Sequence, residues 1–421
     1  MNLNVHECIS KIECMLSRKE KLTLASASIG AGLVLSLNSN VIPLILDPIA
    51  KTVFLNESAF FIGIVIGITQ LLGIVIPPVI GTISDNTWTR FGRRIIYMII
   101  FVPFTVVMLL IMSVIGIRIG VGMEPLNIFI LFAFCITLLY IFLNLWNSTY
   151  CALLPDLTEP AERGETSGYM QAFNILGTIL AFAAAAAVWE TSHALTFVIF
   201  AIVITISSMI TILTIKEKKS VRPREKEPLT SIVKDFIKEK EFVKFMIVSM
   251  FWWFSIGTLQ PFFVLFAKNT LGLPESSALI FMGIFTVILV ACAVPAGIFA
   301  DRIGKKRILS IGVLVAALGL SIGAFTSEIT LIYIAMGMAG LGFGVIIVLN
   351  FALTADLLPK GKEGKFMGLG NIFYATPQMI AAPLVGFLIS RFNDNYQLIF
   401  YITPIALLVA FISLQKVRIT S

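Results

Sequence analysis

The side chains best placed to do chemistry here are neutral, and their chemistry is hydrogen bonding rather than bond making. Tyr140, Asn144 and Asn147 are spaced i, i+4, i+7. Gln171, Asn174 and Thr178 are spaced i, i+3, i+7, and Asn371, Tyr374 and Gln378 repeat that spacing. Trp253, Gly257 and Gln260 again follow i, i+4, i+7. On a helix each set shares one face. Asn38, Asn40 and Gln70 add further amides. Amides and a phenol both donate and accept, and an indole offers a flat face for stacking. Together these groups suit a neutral polyhydroxy ligand. Taken singly, each could equally tie two helices together, an interaction of about 0.6 kcal/mol within a membrane.

The elements that carry these groups are long and apolar. Twelve runs cover approximately 22–46, 58–83, 95–117, 127–154, 166–189, 194–215, 245–267, 276–299, 308–326, 329–354, 366–390 and 396–415. Each is near the roughly 20 residues that a membrane-spanning helix needs. They are continuous rather than alternating, which excludes spanning strands. Of the 421 residues, 58% are hydrophobic and 13% charged, and the mean hydropathy is +0.96. A soluble domain does not have that composition. The runs contain no Asp, Glu, Lys, Arg or His. Ionisable groups stop at the rims, at Asp47, Arg118, Glu190, His193, Lys244, Lys268, Glu275, Asp356 and Asp394. The fold class expected is an all-α membrane protein.

Two loop motifs show that the chain is duplicated. Gly81–Arg94 reads GTISDNTWTRFGRR and Gly297–Arg307 reads GIFADRIGKKR. Gly81, Asp85, Arg90 and Gly92 recur as Gly297, Asp301, Arg302 and Gly304. Arg93 and Arg94 have counterparts in Lys305 and Lys306. A second pair follows the fourth and tenth runs. Ala152, Leu153, Asp156, Leu157, Gly164 and Gly168 recur as Ala352, Leu353, Asp356, Leu357, Gly364 and Gly368. Two motif pairs in the same order imply two pseudo-symmetric six-helix bundles, at 22–215 and 245–415. A terminal segment 1–21, a linker 216–244 and a tail 416–421 complete the chain. Asp85 sits where a helix dipole disfavours a carboxylate, so it needs a positive partner. Arg90 and Arg94 are candidates, and so is the N-terminus of a helix from the other half, near Gly364–Gly368. By symmetry Asp301 should face the start of the fifth run. Such contacts would latch that face shut.

Charge sets the orientation. With the N-terminus inside, only Lys51, Arg118, Lys268 and Arg391 of the 31 Lys+Arg lie outside, leaving 27 within. This asymmetry places both termini in the cytoplasm. It also makes the net charge of +7 a membrane signal rather than a nucleic-acid one. Lys216–Lys240 reads as a solvated linker or as a short amphipathic helix on the membrane surface. The five cysteines show no metal or disulfide spacing, and the N-terminus lacks the pattern of a cleaved signal peptide. No cofactor or metal is implied. A lipid-acting enzyme would have to use the acidic run Asp156, Glu159, Glu162 and Glu165, which no His accompanies.

The Gly–Asp–Arg–Gly–Arg–Arg loop after the second run, with its weaker copy after the eighth, resembles the signature loop of the major facilitator superfamily. Within it, SDNTWTRFGRR looks most like the sucrose-transporter-like carriers and the glycoside–pentoside–hexuronide cation symporters, and ALLPDLT after the fourth run is similar to the same groups. The resemblance implies a monomeric plasma-membrane carrier in which two bundles rock about a central solute site. A sugar would be the solute, with an exporter of drugs or metabolites as the alternative. The cation symporters carry acidic residues on their second and fourth helices, where this sequence has Gln70 and no carboxylate. That departure points to facilitated diffusion, or to coupling through rim groups such as Asp47 or Glu190.

Overall fold

The computed structural model describes residues 16–117, 124–159, 162–217, 236–358 and 363–418. Most of the linker, with Leu229, Ile232 and Val233 of the expected amphipathic helix, lies outside the described residues, as do Arg118, Cys8 and Cys14. The side chains around Gly364–Gly368 are likewise not described.

The first helix is capped by a reciprocal box: Ser17 Oγ accepts from Glu20 N while the Glu20 carboxylate accepts from Ser17 N. It continues through Arg18–Ala25, Ala27–Ser36, a π-helical turn Leu37–Val41 and Ile42–Phe54. These segments are together called α1. A reversal at Leu55, with φ of 46°, leads into α2, Ser58–Asp85. Then come α3 Ile95–Ile117, α4 Pro125–Leu157, α5 Arg163–Val188 and α6 His193–Thr214. The second half holds α7 Lys240–Asn269, α8 Glu275–Ile303, α9 Lys305–Gly323, α10 Ile329–Leu357, α11 Glu363–Arg391 and α12 Ile399–Gln415. Among the described residues, eleven apolar stretches are long enough to cross a bilayer, and the first, Arg18–Asp85, has 68 residues. At about 1.5 Å per residue, that stretch far exceeds one crossing. It is α1 and α2 folded back, so twelve crossings result.

Several helices outrun the expected spans, while Ile95–Ile117 matches its span. The first reaches Phe54 rather than residue 46, which puts Asp47 inside α1 with 1% of its surface exposed. Branched and aromatic residues such as Phe104, Val107, Ile202, Ile206, Ile405 and Ile412 are exposed, as befits faces that meet lipid instead of water.

Glycines set how closely the halves approach. A side-chain methyl at Gly63 would strike the Ala382 carbonyl, and one at Gly386 would strike the Ala59 carbonyl. α2 and α11 therefore touch backbone to backbone toward their Ser58 and Arg391 ends, and Gly67 comes close to the Met379 carbonyl nearer the middle. At the other end, the sites of a methyl on Gly81, Gly164, Gly168 and Gly297 have nothing within 4 Å among the described residues.

Candidate solute site and its two faces

The basic loops carry out their repeat within each half. Gly92 and Gly304 share a left-handed backbone, with φ of 105° and 108°, which is why glycine recurs there. Arg94 is buried. Its Nε lies 3.0 Å from Asp156 Oδ2, and its Nη atoms reach Asp85 and Ser84. Arg93 pairs with the same Asp156 at 2.6 Å. Glu217, just past α6, accepts the backbone N–H groups of Arg93, Arg94 and Ile95 at 3.0, 2.8 and 2.7 Å. A carboxylate thus caps the start of α3, where free N–H groups and the helix dipole favour it. The second copy is thinner. Lys305 pairs with Asp356 at 2.6 Å, and Lys306 donates to the Gln415 and Val417 carbonyls at 3.0 and 2.8 Å. Arg90 lies over the Phe91 ring, and Asp301 and Arg302 are exposed.

Both repeated motifs therefore have one explanation: Asp156 and Asp356 hold the basic loop of their own half. Among the described residues Asp85 pairs with Arg94; the side chains near Gly364–Gly368, its expected partner from the other half, lie outside the described residues. Glu162 and Glu165, part of the acidic run, are bonded to Lys21 on α1 at 2.9 and 2.8 Å. We call this end the loop face.

The opposite end, the far face, is bonded across the halves. Asp47 on α1 accepts from Lys51 at 3.2 Å and from Lys268 on α7 at 3.3 Å. Lys268 also holds Glu275 at 2.7 Å. Lys51 donates to Asn269 Oδ1 at 2.6 Å, and Tyr396 points its hydroxyl at Asp47. Beside them, Trp189 Nε1 donates to Glu275, and His193 lies 3.8 Å from the same carboxylate. Glu190, in the turn after α5, accepts the N–H of Ser276 at the start of α8, at 3.2 Å. Hydrogen bonds from Ser276 hold the Glu190 carboxyl below the usual range. Asp394 is pushed up by burial. None of this pairing was read from the sequence, although Asp47, Glu190, Lys268 and Glu275 all stood out as rim charges.

Between the faces lie the neutral groups. In the second half, the Trp253 and Tyr374 rings are 5.5 Å apart. Gln378 Nε2 donates to the Tyr374 carbonyl at 3.1 Å, and the backbone of Gly257 lies against Gln378. Those three predicted residues come together where α7 meets α11. Gln260 is half-buried one turn further along, and Asn371 is exposed. In the first half, Asn144 donates to the Tyr140 carbonyl at 2.8 Å, and its Oδ1 faces Gly73 on α2. Asn174 reaches the Ser28 carbonyl at 3.5 Å. Gln70 and Asn147 are half-buried, and Gln171 is exposed. Tyr140 is buried, its hydroxyl given to the Val34 carbonyl at 2.6 Å. Asn38 and Asn40 lie on the π-helical turn, which packs against α7, α8 and α2. A π turn frees backbone groups and recurs at functional positions.

The arrangement has matches throughout the chain. A family model described as MFS/sugar transport protein matches residues 25–387. Among solved structures, a D-xylose–proton symporter superimposes with a TM-score of 0.75 at 18% identity, covering 96% of this chain and 98% of that one. The nucleoside transporter NupG gives 0.70 at 14% identity, covering 95% and 100%. At those identities the likeness is one of fold. Curated relatives match over short stretches only. The putative niacin/nicotinamide transporter NiaP of Bacillus subtilis is 29% identical over 97 residues, 23% of this chain and 24% of its own. The multidrug resistance protein MdtL of Shewanella oneidensis is 31% identical over 121 residues, 29% and 30% respectively. An uncharacterised MFS-type transporter of Mycobacterium tuberculosis is matched over 13% of its length. With twelve crossings, a duplicated basic loop and a family match from residue 25 to residue 387, this chain belongs to the MFS/sugar transport protein family of membrane transporters.

Proposed function

We propose that the chain is a plasma-membrane carrier of a small neutral solute, in the first place a sugar. It works by alternating access, with both termini in the cytoplasm. The observation that carries the reading is the character of the mid-membrane groups. Trp253, Tyr374 and Gln378 cluster on one half, and half-buried Asn144 and Asn174 lie on the other. All are uncharged, and a site at the junction of two repeats is where such carriers hold their solute. In this reading the far face is the outer one, closed by ion pairs, and the structure is the cytoplasm-open state. A stacking ring beside paired amides suits a sugar better than a charged solute.

Uptake by purified protein in liposomes tests this. The panel holds mono- and disaccharides, nicotinamide, a nucleoside and an apolar drug, each with and without proton and sodium gradients. Saturable uptake of a sugar, inhibited by other sugars, is expected. Competition by apolar compounds alone would mark an exporter instead. Trp253→Ala should raise the half-saturating concentration, and Asn144→Ala should cost about 1–3 kcal/mol by leaving a hydroxyl unpaired.

A further inference from the structure

The Trp253–Tyr374 cluster has a floor that the polar stripes leave out. Asn350 on α10 is fully buried, and neither its Oδ1 nor its Nδ2 has a partner. Its carboxamide lies beside the Tyr374 hydroxyl without a bond of good geometry. The Trp253 Nε1–H is also buried and unpartnered.

Thr354 Oγ1 gives its single hydrogen to the Asn350 backbone carbonyl at 2.6 Å. In its 3.1 Å contact with the Tyr374 hydroxyl, Thr354 must therefore accept. The phenol is the donor, and its own oxygen stays available. The second half thus holds an unspent indole N–H, an unspent phenol lone pair and a whole unspent carboxamide.

The first half differs. Asn38 Nδ2 donates to Thr69 Oγ1 at 2.7 Å, and Thr69 spends its hydrogen on the Ile66 carbonyl. Asn40 Nδ2 donates to the Ser36 carbonyl. Both amides are thereby oriented, and what remains unpaired is Oδ1 in each. Here the first half offers two spare amide oxygens, and the second offers a spare indole N–H and a whole carboxamide. A hydroxyl can satisfy either.

A buried carboxamide with no partner is a standing cost in the empty protein, which an apolar side chain of similar size would not carry. We propose that Asn350 is a specificity-determining residue of the solute site. Trp253 and Tyr374 cover its carboxamide in the empty state, and it pairs with two adjacent hydroxyls of a neutral sugar ring once the ligand displaces the Tyr374 side chain. The proposal rests on the sugar-carrier reading and names the group that would read the sugar.

The test compares wild type with Asn350→Leu and Asn350→Ser, the second in case the first misfolds. Melting temperature is measured alone and with D-glucose, D-xylose, D-galactose, sucrose, uridine or nicotinamide, followed by uptake of any compound that stabilises wild type. The expected result is a melting temperature at or above wild type for Asn350→Leu, with KM for the sugar raised at least tenfold. A lower melting temperature with KM within twofold of wild type would overturn the proposal, because the residue would then be structural. If wild type answers to uridine or nicotinamide alone and Asn350→Leu abolishes the response, the sugar reading fails while Asn350 stands as a ligand residue. If sugars act equally on both proteins, the reverse holds. If no compound acts, the melting temperature alone decides: a rise supports an amide kept at a cost to stability, and a fall overturns it.

Discussion

The two faces spend their carboxylates differently. On the loop face, the bonds that Asp85, Asp156, Glu217 and Asp356 make among the described residues include pairs within a half or to the segment just beyond it. On the far face, Asp47, Glu190 and Glu275 bond from one half to the other. The first arrangement makes each bundle rigid and says nothing about how the bundles meet. The second holds the bundles together and depends on which state the protein occupies. Charges on the loop face should therefore govern stability, while charges on the far face should govern the balance between states.

The largest effect is expected at Lys268, the cation shared by two carboxylates of opposite halves. Lys268→Glu puts a third carboxylate between Asp47 and Glu275. Breaking a buried ion pair costs about 3–5 kcal/mol, and here the loss falls on one state only. Cys151 is an exposed native reporter. It follows Asn147 by one turn on the polar stripe of α4, so its labelling by N-ethylmaleimide follows the opening at the loop face. With the other four cysteines replaced, Lys268→Glu should slow that labelling at least tenfold and reduce uptake as strongly. Adding Glu275→Lys should restore much of both. Labelling that did not change would mean that helix packing, not charge, closes the far face.

Arg94 supplies the opposite case. It is 1% exposed and binds Asp85, Asp156 and Ser84, all in its own half. Arg94→Gln should lower the stability of the first half by about 1–3 kcal/mol, since it removes a buried cation and leaves the largely covered Asp156 carboxylate short of a partner. The surviving folded protein should label at Cys151 as before. A melting temperature that held while labelling changed would erase the distinction between the faces.

Much of this was legible in the sequence, and the missing part has a physical reason. Twelve crossings follow from run length and apolarity, which a bilayer forces on any spanning helix. The Gly92–Gly304 pair follows from one backbone requirement used twice. Trp253, Tyr374 and Gln378 come together because helical spacing fixes which residues share a face. Pairing across the halves was not legible. Asp47 and Lys268 are far apart in sequence and sit in different halves. Asn350 belongs to no stripe, and a lone amide in an apolar helix gives no periodic signal. The length of α1 was underestimated because Asp47 and Lys51 read as the end of a crossing, whereas their mutual pairing lets the helix run on to Phe54.

Acid should act on the far face with two signs. Glu190 has a lowered pKa when Ser276 is bonded to it. Its contribution to closure is therefore present above the usual glutamate value, about 4.3, and fades as the pH falls through the lowered one. Asp394 has a raised pKa through burial, so its contribution is present below the usual aspartate value and fades as the pH rises through the raised one. Near neutral pH, Glu190→Gln should loosen the face and slow Cys151 labelling by up to about fivefold, the scale of an exposed charged contact. Asp394→Asn should do the reverse, because it keeps the uncharged form. Equal and same-signed shifts in both variants would show that neither carboxyl senses closure.

The smallest effect tests whether the loop face ever acquires contacts across the halves. We propose that in the opposite state Asp85 and Asp301 each meet the N-terminus of a helix in the other half. Among the described residues nothing crowds Gly81 or Gly297, which leaves room for that approach. Asp85 is the poorer probe, since its bond to Arg94 would be lost along with any latch. Asp301 is exposed in the present state and gives the cleaner case. A carboxylate at a helix N-terminus contributes about 0.3–1 kcal/mol, which is roughly a two- to fivefold change in a rate or a population. Asp301→Asn should leave the melting temperature unchanged, slow uptake by about that factor and raise Cys151 labelling slightly, because the loop-face-closed state is the one weakened. If uptake and labelling both match wild type, Asp301 is a solvated charge, and the loop face closes by packing alone.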